Sequence, residues 1–165
     1  MNTKQQLRLD VEDFLFEEAN LIDRWQLDDW LKLYAAECRY EIAPTGEENA
    51  EQLSPDDTLF ILADNRYRLE ARVKRIQKKT AWVEYPHSRT RHMISNVQIL
   101  SSNESEVQVQ ANFIVYRTKR NVTTQFPGHY NYVLRPNGNG FLIKSKRAIL
   151  DLDALVPQGR VGFIL

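Results

Sequence analysis

The chain has 165 residues, 42% hydrophobic and 27% charged, with 22 Lys and Arg balanced by 22 Asp and Glu. That length fits one domain with a substantial core, and the charge balance excludes the broad basic footprint that binds DNA or RNA. A lone Cys38 excludes an internal disulfide framework and suits a reducing compartment. The opening residues lack the apolar stretch of a secretory signal. No run approaches the roughly 20 apolar residues that span a bilayer. A cytoplasmic chain with no membrane and no nucleic-acid partner is expected. Zero net charge offers little colloidal repulsion, so self-association or a protein partner is expected as well.

The first element is a helix from about Asp10 to Trp25. Val11, Phe14, Leu15, Glu18, Ile22 and Trp25 fall on one stripe at three- and four-residue steps, with Glu18 its polar exception. Asp28 is placed to cap a short second helix carrying Trp30, Leu31, Leu33 and Tyr34. Cys38 to Ala43 reads as a short strand ended by Pro44, and Thr45 to Leu53 as a polar, acidic loop. Ser54-Pro55-Asp56-Asp57 predicts a helix start: a capping Ser, Pro in the first helical position, and acids at the positive end of the dipole. Leu59, Leu62, Leu69, Val73 and Ile76 give that third helix its buried stripe, and Lys74, Arg75, Lys78 and Lys79 suit its C-terminal end.

From Ala81 the period changes to two. Val107, Val109, Ala111, Phe113 and Val115 alternate with Glu106, Gln108, Gln110 and Asn112, and the second set turns apolar at Ile114 and Tyr116. Val122 to Arg135 and Phe141 to Asp151 are further strands, joined by the turn Pro136-Asn137-Gly138-Asn139-Gly140. Ser101 to Ser105 is another turn. Helices followed by long antiparallel strands mean α+β. We expect one domain over residues 1–165: helices over about 10–79, sheet over about 81–151, and a tail over 152–165. The pattern matches a nuclear-transport-factor-2-like cone, the third helix lying on the concave side of a strongly curved, mostly antiparallel sheet. That fold hosts enzymes, binding modules and subunits alike.

The sequence has three histidines: His87 in a Pro-containing loop, His92 opening a strand, and His129 in mid-strand. An iron site of two His and a carboxylate needs them close together, and no His-x-x-x-His or similar spacing occurs; no metal, cofactor or catalytic residue is expected on this chain. His92 as a general acid or base would need an orienting carboxylate. Glu18, Asp64 and Glu70 are candidates, and a structural or interface His is the stronger expectation. Trp25, Trp30, Tyr34 and Tyr40 are read as core packing ahead of a ligand cavity, and Cys38 as a small buried residue. Glu18, Tyr34, His92 and Arg147 form the expected polar set of the core or cavity. Arg147 shares a strand face with Phe141, Ile143 and Ile149, so it should be buried and paired, with Glu18 as first-choice partner and Asp64 as second.

Glu18 to Asp23, Trp30 to Tyr34, the stretch Trp82 to Val97 with its Arg91-His92-Met93-Ile94-Ser95-Asn96-Val97, Asn112-Phe113, Leu142 to Arg147 and Leu150-Asp151 occur in one order along nearly the whole chain. In this ordered set the chain resembles the small (β) subunit of aromatic-ring-hydroxylating dioxygenases. Ser95-Asn96-Val97 and Leu142 to Lys146 look most like the benzoate or anthranilate branch. The resemblance implies a hexamer of three large and three small subunits. The large subunit would hold a Rieske iron–sulfur cluster and a mononuclear iron, fed from NADH by a reductase. The small subunit would be mainly structural, a partner of the large subunit and of itself as a trimer. One Cys cannot supply the two Cys and two His of a Rieske centre. Tyr85, His87, Arg89, Arg91, Arg117, Lys119 and Arg120 are then the candidate large-subunit interface, arginines favouring bidentate contacts to acidic groups. A stand-alone cone-fold dehydratase or isomerase, or a module binding a small hydrophobic ligand, is the alternative.

Overall fold

The computed structural model describes residues 3–81 and 84–165. Trp82 and Val83, which open the signature stretch, lie outside the described residues. The elements run α1 (Thr3–Asp23), α2 (Leu27–Leu31), β1 (Tyr34–Ile42), β2 (Leu62–Asn65), α3 (Arg66–Ile76), β3 (Arg89–Ser102), β4 (Val107–Lys119), β5 (Val122–Asn137) and β6 (Gly140–Leu150). The six strands form one sheet in the order β2-β1-β6-β5-β4-β3. Only β1 and β6 pair in parallel. The helices pack on this curved sheet, so the α+β cone holds.

The helical stripe does what its spacing predicts. Val11, Leu15, Glu18 and Ile22 are buried, while Phe14 and Trp25 are partly covered. The helix begins earlier than expected, at Thr3. Asp28 does not cap α2; Gln26 stands at that position without a side-chain hydrogen bond, and Asp28 lies in the first turn. Tyr34 belongs to β1 rather than to the helix.

The sheet is not confined to residues 81–151. β1 and β2 come from the first half, and β1 is nine residues long because its neighbour is β6, about a hundred residues away in sequence. No local pattern announces such a pairing. The helix start at Ser54 is also corrected. Ser54 makes only one turn, with its carbonyl accepting from Asp57 and Thr58 at 3.1 and 3.0 Å. The chain must then extend to reach β2 beside β1, and Leu59 is left 91% exposed. The helix starts at Arg66 instead, where the Asn65 side chain accepts from the Arg68 N–H at 3.0 Å. Leu69, Val73 and Ile76 are buried as the stripe requires, and Lys74 and Arg75 sit in the last turn.

β4 alternates as read, with Val107, Val109, Ala111, Phe113 and Val115 all buried. The β5–β6 hairpin pairs Asn137 with Gly140, leaving a two-residue turn in which Gly138 takes φ +60°. Two bulges change which residues face inward. In β3 the register slips between Ser95 and Gln98, with Asn96 at φ 53°; inward facing passes from His92 to Val97. In β6 the register slips between Ile143 and Ser145, so Lys144 is the extra residue. Ile143, Lys146, Ala148 and Leu150 therefore point into the core, and Arg147 is turned outward. The expected face for Arg147 was the opposite one, because an unbroken period of two cannot show a bulge.

The segment after β6 is not a solvated tail: Phe163, Ile164 and Leu165 are buried in the main core cluster. Leu165 closes on Tyr40, donating its N–H to the hydroxyl at 3.0 Å, and its carbonyl accepts from the same hydroxyl at 3.2 Å.

Gly128 of β5 marks the tightest approach in the sheet. A Cβ there would overlap the Ile149 carbonyl and lie 3.0 Å from the Phe113 ring. The backbone oxygen cannot step aside. Gly128→Ala should destabilise the fold by about 1–3 kcal/mol, the usual cost of overpacking, read as a lower urea midpoint; an unchanged midpoint would show that the two strands can separate there.

Candidate functional site

Glu18 is the polar centre of the cone. It is 2% exposed. Its Oε2 accepts the Tyr132 hydroxyl at 2.7 Å, and its Oε1 accepts Trp30 Nε1 at 3.1 Å and Lys146 Nζ at 2.9 Å. The Tyr34 hydroxyl adds a longer bond at 3.4 Å. Helices α1 and α2 and strands β1, β5 and β6 thus converge on one carboxylate. The Lys146 ammonium lies 4.4 Å from the centre of the Tyr130 ring and 5.6 Å from that of Tyr132. Burial pushes the Lys146 amine below its ordinary range, against the pull of Glu18. Burial, reinforced by the Glu18 charge, pushes the Tyr34, Tyr130 and Tyr132 phenols well up. The ion pair is dry, caged and fully engaged.

Of the expected polar set, Glu18 and Tyr34 lie in this network, and His92 and Arg147 lie elsewhere. Arg147 pairs with Glu41 at 2.7 Å, not with Glu18 or Asp64. It also donates to the Glu51 and Leu53 carbonyls at 2.9 and 2.8 Å and lies 5.0 Å from the Phe60 ring centre. It pins the loop after β1 to the outer face of the sheet, over a small cluster of Ala43, Ala50, Phe60 and Ile149. Asp64 is taken by Arg72 at 2.5 Å, and Glu70 by Arg66 at 2.6 Å.

His92 has a carboxylate partner that the sequence reading missed. Asp23, at the end of α1, receives His92 Nδ1 at 2.6 Å, the His92 backbone N–H at 3.0 Å and the Thr90 hydroxyl at 2.9 Å. Burial acts to raise the Asp23 carboxyl, but these bonds and the His92 charge outweigh it and hold it below its ordinary value. His92 Nε2 has no partner among the described residues, nor does the Tyr130 hydroxyl.

The candidate interface residues gather at one end of the sheet, where Arg89 pairs in register with Thr118 and Arg91 with Tyr116. Tyr85, His87, Arg89, Arg91 and Arg120 are exposed; Lys119 is partly covered. Burial, with Arg117 and Arg120 nearby, pushes the Lys119 amine down. Arg117 differs from the expectation of a solvent-facing docking group. It pairs at 2.6 Å with the buried Glu84, which also accepts the Ser88 hydroxyl at 2.7 Å, and its guanidinium lies 5.4 Å from the Phe163 ring centre. His87 stacks on Trp25 with centroids 3.8 Å apart and planes 8° apart. Trp25 holds φ 57°, an uncommon conformation for a bulky residue, and donates Nε1–H to the Ser88 carbonyl at 3.1 Å. Trp30, Tyr34 and Tyr40 are core residues that meet edge to face, and Cys38 is buried.

The histidines sit in three places: His87 on Trp25, His92 on Asp23, and His129 on Glu51 at 2.6 Å. Among the described residues, no three His, Cys, Asp or Glu side chains are grouped to hold a metal. This donor set does not fit an iron centre. Among the described residues, no helix is long and apolar enough to cross a membrane.

Residues 17–156 match the family model described as "Ring hydroxylating beta subunit". The chain is 46% identical over 158 residues to the small oxygenase component of the p-cumate 2,3-dioxygenase system of Pseudomonas putida, covering 96% of this chain and 87% of that protein. Among solved structures it is similar to the beta subunit of benzoate 1,2-dioxygenase from Burkholderia mallei (TM-score 0.74, 25% identity, 93% of this chain and 96% of that one). It also matches a chain of naphthalene 1,2-dioxygenase (TM-score 0.84, 18% identity, 99% of this chain and 88% of that one).

Two outcomes follow from the buried pairs. Glu18→Gln strands an ammonium and Lys146→Met strands a carboxylate, so each alone should cost about 3–5 kcal/mol in denaturant unfolding. The double variant should regain part of the loss; fully additive losses would mean that the two groups act separately. Asp23 titrates lower folded than unfolded, so between the two values the unfolded chain binds more protons. Its contribution is present above the ordinary value of 3.8 and is lost as pH falls through the folded value. Asp23→Asn should lower stability at pH 7 and flatten its acid dependence below pH of about 4; parallel wild-type and variant curves there would exclude Asp23 as a source.

Proposed function

We propose, for a chain that belongs to the ring hydroxylating beta subunit family, that it is the non-catalytic small subunit of a multicomponent aromatic-ring dioxygenase and docks the large subunit. The observation that carries this reading is the closed cone. Glu18, Lys146 and the surrounding aromatics fill the interior with groups that bond one another. The exposed functional groups lie instead at the β3–β4 end of the sheet.

On this reading the large subunit carries the Rieske cluster and the mononuclear iron, and a reductase brings electrons from NADH. The likeness to the p-cumate component favours p-cumate or a related aromatic compound as the system's substrate. The assembly works in the cytoplasm as three large and three small subunits, the small ones forming a trimer. Tyr85, His87, Arg89, Arg91, Lys119 and Arg120 face the large subunit. Arg117 supports that surface from behind through Glu84.

The reading is tested by co-expressing the chain with the adjacent large subunit. The complex should purify together with iron, and the chain alone should retain none after a chelator wash. Arg89→Glu with Arg91→Glu should reduce co-purification about tenfold or more while the small subunit keeps its own unfolding midpoint, since mismatched interface charges cost several kcal/mol. Stoichiometric iron on the isolated chain, or undiminished co-purification, would contradict it. Light scattering of the isolated chain should give the trimer mass at micromolar concentration; a monomer would count against self-association.

A further inference from the structure

The segment ending at Leu165 fills the cone mouth with side chains that no part of the subunit reading requires. Phe163 meets Phe126 edge to face at 5.1 Å and lies under the Arg117 guanidinium. Phe126 is in register with Val115, and Val115 with His92, so these three buried residues form one inward-facing row across β5, β4 and β3. Phe163 lies over the Phe126 end of that row. Between this segment and Ile22, Trp25, Leu27 and Thr90 there remains a gap of only about 10 Å³. The row holds one polar atom without a partner among the described residues, His92 Nε2. Asp23 is an acceptor and takes the Nδ1 proton, so in the neutral ring Nε2 is an acceptor too.

The segment is not packed along its whole length. Gly159 stands at φ +79° with nothing near its Cβ position. Arg160, Val161 and Gly162 line an open cleft of about 360 Å³ against Arg75, Ile76, Thr80, Ala81 and Glu84. A flexible span therefore leads to a buried aromatic end.

We propose that Phe163 and Ile164 plug a ligand site. When they withdraw, the row of His92, Val115 and Phe126 takes a small planar aromatic molecule bearing one O–H or N–H donor. The ring replaces that of Phe163, and the donor bonds His92 Nε2. Removing a Phe ring opens a cavity on the order of 100 Å³, the size class that admits benzene when its walls are apolar. The unpaired imidazole nitrogen adds a preference for a donor, because a buried acceptor gains most from the hydrogen bond it lacks. This goes beyond the subunit reading and does not depend on it.

The test uses the full chain carrying Phe163→Ala, titrated with phenol and, separately, with benzene, by calorimetry and by the imidazole nitrogen resonances of His92. Phe163→Ala should bind phenol at least about tenfold more tightly than wild type does. It should also bind phenol about tenfold more tightly than benzene, the ratio one good hydrogen bond supplies, with the Nε2 resonance moving. Failure of the folded variant to bind phenol would overturn the proposal. Equal affinity for phenol and benzene would remove His92 from the site, and wild-type binding as tight as the variant's would remove the plug. If Phe163→Ala does not fold, Phe163→Leu and Ile164→Ala are read by the same criteria.

Discussion

A carboxylate buried on the inner side of the first helix constrains everything around it. Glu18 cannot remain charged in the cone unless every lone pair is answered. Lys146 supplies the opposite charge, and Trp30, Tyr132 and Tyr34 supply donors. These donors come from five elements that share no local sequence, so the network is satisfied only when the whole cone has assembled. Leucines in those positions would pack as well with the sheet slightly shifted. A carboxylate with four directed partners tolerates no such slip.

The same demand explains the bulge at Lys144. Without the extra residue, period two would place Arg147 inside and Lys146 outside. With it, the slender ammonium reaches Glu18 between the Tyr130 and Tyr132 rings, and the broad guanidinium lies on the outer face. There its donors divide between Glu41 and two loop carbonyls. One register shift thus assigns two adjacent cations to two separate tasks.

That shift also marks where the sequence stopped being legible. The Glu18 stripe, the β4 alternation and the Asn-Gly hairpin were readable because each is a local period or a local turn rule. Glu18 was correctly singled out as the anomalous polar residue, but its partner was misassigned by one position, since a bulge leaves no trace in composition. Ser54-Pro55 fulfils the rules for a helix start and lost to the pairing of β2 with β1. Asn65, eleven residues on, caps the real helix. Asp23 was missed because it lies at a helix end, just off the buried stripe, and its partner lies 69 residues away. Family resemblance identified the subunit class from residues whose physical roles stayed hidden until the strands were placed in order.

The His92–Asp23 pair has the geometry that base catalysis uses, and it also answers a mechanical need. β3 is an edge strand with β4 as its sole ladder partner in the sheet. Asp23 ties Thr90, the His92 backbone and the His92 ring to the end of α1, so the free margin of the sheet is secured to a helix rather than to another strand. Immediately beyond, Trp25 turns into a positive φ and stacks on His87, which carries the tie outward to the exposed loop before β3. The polar pair, the strained Trp and the stacked His form one continuous brace from the core to the arginine-bearing end of the sheet. A surface that must present Arg89 and Arg91 to a partner in fixed positions needs such a brace, because an unsupported edge strand would lose much of its binding energy to its own ordering.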